Sequence, residues 1–177
     1  MRIATLSKFS ESHAEEWLEF YNKAASDRTG FTSEEHVGIV SPGQVLFTWE
    51  VSDRDALLKH GADPEVAAHI KRMDETSTIY EAREITEADG PGTYFGLWTF
   101  ENETAQEWMD AWTSDEKRLT RDEVFGVVDD HSVLVLLTTH ASQAEHDAHL
   151  QRPEIKEHIE RINEQARVWR VEPAALD

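Results

Sequence analysis

The sequence predicts an α+β fold made of two tandem β-α-β-β-α-β repeats, and two observations support this prediction. The chain has 177 residues, enough for one ordinary domain or for two small units that share a core. Its two halves also carry the same residue types in the same order over about eighty positions. Internal repeats are considered first because a missed repeat changes the whole fold assignment.

The repeat appears as three blocks whose offsets differ by only a few residues. Two short apolar runs recur 88 positions later: Val37–Val40 with Gln44–Phe47, and Phe125–Val128 with Ser132–Val135. A polar block recurs 89 positions later: His60, Pro64, Glu65, His69, Arg72, and then His149, Pro153, Glu154, His158, Arg161. An aromatic block recurs 91 positions later: Leu6, Phe9, Trp17, Tyr21, and then Leu97, Phe100, Trp108, Trp112. We therefore expect repeats at 1–89 and 92–177, joined by the turn-forming Asp89-Gly90-Pro91-Gly92.

The elements of one repeat follow from its periodicity. Ile3–Phe9 is predicted as the first strand, and Tyr94–Phe100 is its counterpart. Each is followed by a polar helix start, Ser10-Glu11-Ser12 or Asn102-Glu103-Thr104, which offers capping side chains. In the helix that follows, Trp17, Phe20, Tyr21 and Ala24 fall on one face.

The second part of each repeat is predicted to form a hairpin, a broken helix and a last strand. Val37–Val40 and Gln44–Val51 are β-rich runs separated by a turn. A helical stretch from Asp53 to Met73 is interrupted near Gly61–Pro64, and the strand Thr78–Ile85 ends the unit. Each half is then ferredoxin-like, with helices on one sheet face only. The two uncovered faces are expected to pack sheet to sheet, as a dimeric α/β barrel within one chain.

Composition excludes several classes of function. The chain carries 36 acidic and 17 basic residues, for a net charge of −19, so nucleic acid and anionic membrane surfaces are not expected partners. No apolar run has the length of a membrane span or of a signal peptide, and a cytoplasmic location is expected. Cysteine is absent, which removes thiol chemistry. The acidity is typical either of a halophilic source or of an ordinary acidic protein.

A family resemblance lies in the second helical stretch of each half. The residues that carry it are Phe47–Asp53, Ala56–His60 and Asp63–Val66, and in the second half Asp147–Leu150 and Arg152–Lys156. They resemble the antibiotic biosynthesis monooxygenase superfamily, which includes quinone-forming oxygenases without a cofactor and haem-degrading monooxygenases. In the haem-degrading branch a helix histidine ligates iron, and His69 and His158 lie at or within one residue of that position. The first-strand asparagine of that branch has no counterpart here.

The candidate catalytic residues are His69 and His158, each four residues after an acid, Glu65 or Glu154. An i, i+4 pair shares one helix face, so the carboxylate could orient the imidazole. By the resemblance, the histidines would act as a base or as axial ligands of haem. The alternative is a pair of solvated surface contacts.

The candidate ligand pocket is formed by Trp49, Trp98, His60 and His149. Two strand tryptophans between a sheet and its helices would suit a small hydrophobic or aromatic molecule. The alternatives are ordinary core aromatics and helix-end histidines that interact with the helix dipole.

A third candidate is a metal site formed by His140, His146 and His149, which occur only in the second half. His146 and His149 lie one helical turn apart and could share a divalent ion with His140. A solvated acidic helix is the alternative reading.

Three functions therefore stay open. The first is a monooxygenase-like protein that binds an aromatic or haem-like ligand. The second is a non-catalytic ligand-binding or interaction barrel, and the third is a metal-binding domain. Because the fused pair already supplies both halves, the chain could be a monomeric pseudo-dimer or could pair again as a homodimer.

Overall fold

Eight strands form a closed antiparallel barrel in the computed structural model, which describes residues 1–11, 13–85 and 90–174. The strands are β1 (Arg2–Lys8), β2 (Thr32–Ser41), β3 (Gln44–Val51), β4 (Thr76–Glu84), β5 (Gly92–Thr99), β6 (Thr120–Asp129), β7 (Ser132–Thr139) and β8 (Gln165–Pro173). The helices are α1 (Ala14–Lys23), α2 (Ala25–Arg28), α3 (Arg54–Gly61), α4 (Pro64–Arg72), α5 (Ala105–Ser114), α6 (Gln143–Leu150) and α7 (Pro153–Arg161).

The strand order around the barrel is β1-β3-β2-β6-β7-β5-β8-β4. Each half contributes one four-stranded sheet with the ferredoxin-like order, so the predicted fold class is confirmed. The sheets also pair with each other at both edges, over Tyr80–Glu84 and Trp169–Pro173 between β4 and β8, and at Ile39 and Val127 between β2 and β6. Closure gives each of the eight described strands a neighbour on both sides, which limits the addition of a strand from another chain.

The β2–β6 seam depends on two glycines that face each other. A Cβ atom on Gly38 would lie 2.3 Å from the carbonyl oxygen of Gly126, which is far inside van der Waals contact. Ile39 pairs with Val127 immediately beside this point. Glycine at both positions therefore lets the two backbones approach closely enough for the barrel to close.

The hydrophobic core has three parts, one inside the barrel and one under the helices of each half. The interior cluster draws on both halves: Ala4, Leu6, Leu46, Phe95, Leu97, Leu134, Leu136, Trp169 and Val171. Trp49 belongs to the cluster under α1, and Trp98 to the cluster under α5. Both tryptophans therefore lie between a sheet and its helices, as predicted, and the barrel interior is packed with side chains.

The starts of the first helices differ from the prediction in one half. Thr104 caps α5 in a capping box with Glu107, as expected from its sequence. In the first half Ser12 lies outside the described residues, and the N-cap of α1 is His13, which makes no side-chain capping bond. The N–H of Ala14 instead donates to the Pro42 carbonyl at 2.9 Å, so the hairpin turn satisfies this helix end.

The broken second helix is present in both halves and is fixed by its caps. Asp53 accepts from the N–H of Ala56 at the start of α3, and Asp63 accepts from the N–H of Glu65 at the start of α4. Proline is the first residue of α4 and of α7, where its missing N–H costs nothing. The equivalent of Asp63 before α7 is Arg152, which makes no side-chain cap.

At the joint between the halves, Asp89 lies outside the described residues, and Gly90 adopts a positive φ of 84° just before β5. The repeated elements follow the expected order on either side, while the division into units at 1–89 and 92–177 stays a prediction. In the described part of the chain, no helix combines the length and apolar character that crossing a membrane requires.

Candidate ligand site

An open cleft of about 480 Å³ lies in the first half, between the C-terminal end of α1 with α2 on one side and α3 with α4 on the other. Its aromatic and apolar lining consists of Phe20, Ala24, Phe31, Ala56, His60 and Val66. Its charged lining consists of Lys23, Asp27, Lys59, Asp63 and Glu65. The cleft thus joins aromatic surfaces to polar groups at its rim, the combination that small-molecule sites use.

His60 and the aromatic rings next to it form one wall of this cleft. The His60 ring lies 5.7 Å from the Phe31 ring and 6.5 Å from the Trp49 ring, between centroids. The predicted pair Trp49 and His60 is therefore brought together. Phe31 and His60 line the cleft, and Trp49 packs behind them.

Below Trp49, a buried polar network links α1 and α2 to β2 and β3. The Trp49 indole donates to the Tyr21 hydroxyl at 2.6 Å, and that hydroxyl donates to Glu35 at 2.6 Å. Arg28 donates to Glu35 at 3.0 Å and to the Tyr21 carbonyl at 2.8 Å, and its guanidinium lies 3.7 Å from the centre of the Tyr21 ring. These contacts hold the floor of the cleft rigidly.

Burial and the charges of the network shift the pKa values of His60, Tyr21 and Glu35. Burial, and next the positive charge of Arg28, lower the pKa of His60, so this imidazole is neutral at pH 7. Burial raises the pKa of Tyr21, which keeps its hydroxyl protonated. Burial would raise the pKa of Glu35, but hydrogen bonds from Arg28, Thr32 and Tyr21 lower it overall.

A neutral imidazole beside aromatic rings has a defined chemical capacity. It can accept a hydrogen bond from a ligand hydroxyl, or take a proton from an acidic one, without first losing a proton itself. Of the predicted site residues, His60 is the one that lines the cleft in this way; Glu65 also lines it, from the first turn of α4.

His69 and His158 have surroundings different from those expected. His69 is 6% exposed and stacks on Phe20 with ring centroids 3.7 Å apart. Its Nδ1 atom lies 3.0 Å from Nη2 of Arg72, and Nδ1 of His158 lies 3.1 Å from Nη2 of Arg161. Because a guanidinium only donates hydrogen bonds, Nδ1 is the acceptor in both rings and Nε2 carries the proton.

The expected orienting acids do not contact these histidines. Among the described residues Glu65 forms no ion pair with His69, and Glu154 pairs with Arg152 at 2.8 Å instead. The arginine three residues after each histidine reaches the ring, since residues three apart share a helix face. The described contacts therefore give no support to the proposed Glu–His pairing, which stays a prediction from the i, i+4 spacing.

The described residues do not fit a haem group. An axial ligand needs a free lone pair on the ring nitrogen that faces the iron, and here the Nε2 atoms of His69 and His158 carry the protons. The Nε2 atom of His69 is also buried with no partner in the described structure.

In the second half, the equivalent cleft is bridged by an ion pair. Asp115, directly after α5, corresponds to Ala24, directly after α1. Arg152, directly before α7, corresponds to Asp63, directly before α4. Arg152 Nη1 lies 2.8 Å from Asp115 Oδ2, and His149 Nε2 lies 3.7 Å from the same oxygen. These side chains join the two walls that stand apart in the first half.

Trp98, the other predicted pocket residue, lies under α5 rather than at an open cleft. Its ring contacts those of Trp108 and Trp112 at 6.0 and 5.4 Å, and it is 7% exposed. Trp98 and His149 are therefore not brought together around a pocket in the way that Trp49 and His60 are.

The three histidines of the proposed metal site do not converge. His146 Nε2 lies 3.1 Å from the Thr139 hydroxyl, whereas His149 contacts Asp115 and Arg152. Across residues 1–11, 13–85 and 90–174, no group of three or more histidines and carboxylates is arranged to hold a metal ion. Because His146 and His149 have different partners, no described contact supports the metal hypothesis, which stays a prediction.

Sequence reasoning missed the network of Arg28 and Glu35. A signal for it was present, because Thr-x-x-Glu recurs 88 positions apart as Thr32 to Glu35 and Thr120 to Glu123. Both threonines donate to the glutamate, and each glutamate also pairs with an arginine. Because the arginines, Arg28 and Arg118, recur at an offset of 90, the blocks do not align without gaps.

Comparison with known proteins leaves the function open. No protein-family model matches the chain, and no curated protein matches it. Three solved structures resemble it: a "putative monooxygenase" from Lactobacillus acidophilus, a "putative monooxygenase" from Fusobacterium nucleatum and an anthrone oxidase-like protein. Their identities are 12%, 11% and 15%, with TM-scores of 0.40, 0.36 and 0.34. Each alignment covers at least 96% of this chain and at least 91% of the other.

At these identities and TM-scores the three matches carry no argument about ligand or activity. The fold is established by the strand pairing of the chain itself, which is that of a dimeric α/β barrel within one polypeptide.

Proposed function

We propose that this protein binds a small aromatic molecule in the first-half cleft. The observation that carries the proposal is the cleft of about 480 Å³ with Phe20, Phe31 and His60 in its lining. Rings on both walls offer stacking or edge-to-face contacts to a flat ligand. The volume falls within the range of small-molecule sites and is suited to two or three fused rings.

The contacts beneath the cleft support ligand binding more directly than catalysis. The floor is held in place by the Tyr21, Trp49, Glu35 and Arg28 contacts, so the site exists before the ligand arrives. A preformed site loses little entropy when it binds. His60, neutral at pH 7, accepts a hydrogen bond from a hydroxyl on the ligand.

The proposal is tested by calorimetric titration with 1-naphthol and with 1-methoxynaphthalene, which lacks the hydroxyl proton. Both should bind, and 1-naphthol more tightly, because only it donates to His60. Phe31→Ala should weaken both, whereas His60→Phe should weaken 1-naphthol alone. Trp98→Phe, under α5 in the other half, is the matched control and should change neither. If neither compound binds at millimolar concentration, the proposal is refuted.

A second candidate function is oxidation of the bound aromatic by dioxygen, and the neutral His60 favours it. The imidazole would take the proton of a phenol, leaving the electron-rich phenolate to react with dioxygen. For 1-naphthol the balanced reaction consumes one dioxygen and yields one naphthoquinone and one water. Oxygen uptake with a rise in quinone absorbance, lost in His60→Phe, would support an enzyme. Binding without oxygen uptake would leave the protein a binding barrel.

A further inference from the structure

The two copies of the repeat differ at several of the residues that line the cleft. The last residue of the first helix is Lys23 in one half and Ser114 in the other. The sixth residue of α3 is Lys59, and the sixth residue of the corresponding helix α6 is Ala148. Both lysines line the open cleft, and neither has a counterpart where the cleft is bridged.

From this difference we infer that the cleft selects an aromatic anion, such as an aromatic carboxylate, and that each chain binds one. The inference rests on the proposed function and adds the ligand's charge, the residues that recognise it and the number of sites. Lys23 and Lys59 lie on opposite walls, so the anionic group would sit between them.

The net negative charge of the chain is the background against which two lysines in one cleft indicate an anionic ligand. Acidic residues outnumber basic ones by 36 to 17, so the protein as a whole repels an anion. Only six of its residues are lysine, and two of these line this cleft. A neutral aromatic ligand would need neither of them.

Three acidic residues, Asp27, Asp63 and Glu65, line the cleft together with the two lysines, so the position of each charge matters more than their sum. Asp63 directs its carboxylate to the first turn of α4, where it accepts from the N–H groups of Glu65 and Val66 at 2.8 and 3.4 Å. Asp27 and Glu65 are exposed at the rim, as Lys23 and Lys59 are, so water screens all four charges alike. Arg28 lies just below the cleft, where its charge lowers the pKa of His60, while its ion pair with Glu35 offsets the positive potential that it adds.

The one-site stoichiometry follows from the second half. There Asp115 and Arg152 close the equivalent space at 2.8 Å, and Ala111 replaces the ring of Phe20. A ligand would have to break the ion pair to enter and would find neither the lysines nor that aromatic wall.

The test is calorimetric titration with 1-naphthoate and with 1-naphthamide, which has nearly the same shape without the charge. We expect one site per chain, and naphthoate bound about tenfold more tightly than the amide at low salt. K23Q/K59Q should reduce this preference to less than about threefold. K117Q/K156Q, which removes two lysines elsewhere and changes the net charge equally, should keep it. Circular dichroism confirms that each variant is folded.

Each outcome decides between the two proposals. Equal binding of naphthoate and naphthamide, a preference unchanged in K23Q/K59Q, or two sites per chain would overturn the inference while leaving the aromatic site in place. Failure of both compounds to bind would refute the proposed function as well. Raising the salt concentration from 0.05 to 0.5 M should reduce the preference, since it screens the lysines.

Discussion

The ion pair between Arg28 and Glu35 should stabilise the fold far more than its copy between Arg118 and Glu123. The Arg28 side chain is 2% exposed, and the Arg118 side chain is 34% exposed. Arg28 also donates to a backbone carbonyl at 2.8 Å and packs on the Tyr21 ring at 3.7 Å. The duplication thus provides the same pair in a buried and in an exposed setting.

Replacing each arginine by methionine keeps most of the side-chain volume and removes the charge. Removing one partner of a buried pair costs about 3–5 kcal/mol, but the Glu35 side chain is 25% exposed, so about 3 kcal/mol is expected for Arg28→Met. In a chain of this size that corresponds to a fall in Tm of about 6–12 °C. Arg118→Met should cost about 1 kcal/mol, or about 2–4 °C.

The assay is urea unfolding followed by tryptophan fluorescence, with calorimetric Tm as an independent measurement. A double-mutant cycle with Glu35→Gln gives the coupling free energy of the pair itself. If Arg28→Met destabilises the protein no more than Arg118→Met, the buried network does not hold the floor of the cleft.

Three further predictions concern the barrel seam, a buried acid and the net charge. Gly38→Ala should destabilise the fold by about 2 kcal/mol or more, since its Cβ would clash with Gly126, while Gly61→Ala, with open space around it, serves as the control. Burial raises the pKa of Glu164, which accepts from Trp108 at 2.7 Å. Its ionised form therefore costs stability as the pH rises above about 4.3, the unfolded value, and Glu164→Gln should raise the urea midpoint at pH 7 and much less at pH 4. Added salt should raise the free energy of unfolding, because it screens the repulsion among the acidic side chains.

Each of these three has an outcome that contradicts it. An unchanged Tm in Gly38→Ala would mean that the β2–β6 seam tolerates a side chain. A midpoint shift for Glu164→Gln that is as large at pH 4 as at pH 7 would remove ionisation as its cause. Stability that does not change between 0.05 and 1 M potassium chloride would show that self-repulsion is not a significant cost.

The repeat made the fold predictable, because two copies of each element could be read together. Strand β3 and the break between α3 and α4 were predicted from short-range signals, alternation and proline. Strand β2 begins at Thr32, five residues before the predicted start at Val37. A bulge at Glu34, with φ of 47°, breaks the alternation of the first residues and hides them from the sequence pattern. Asp122 repeats the bulge in β6, with φ of 55°.

The candidate site was only partly predictable, because some of its contacts are local in the sequence and others join distant segments. His60 and Trp49 lie in recurring segments, and their proximity follows from a strand that leads directly into a helix. The pair Asp115 and Arg152 joins positions 37 apart, and no local pattern indicates such a contact. Whether a cleft is open or bridged depends on tertiary pairing, which periodicity does not encode.

Transferring the ion pair of the second half into the first-half cleft tests whether that cleft is the binding site. Ala24→Asp with Asp63→Arg would place the residues of Asp115 and Arg152 at the equivalent positions of the first half. Titration of this variant with 1-naphthoate should show binding weakened at least tenfold, whereas the reciprocal D115A/R152D should retain wild-type affinity at the first site. Unchanged binding by folded A24D/D63R would contradict the claim.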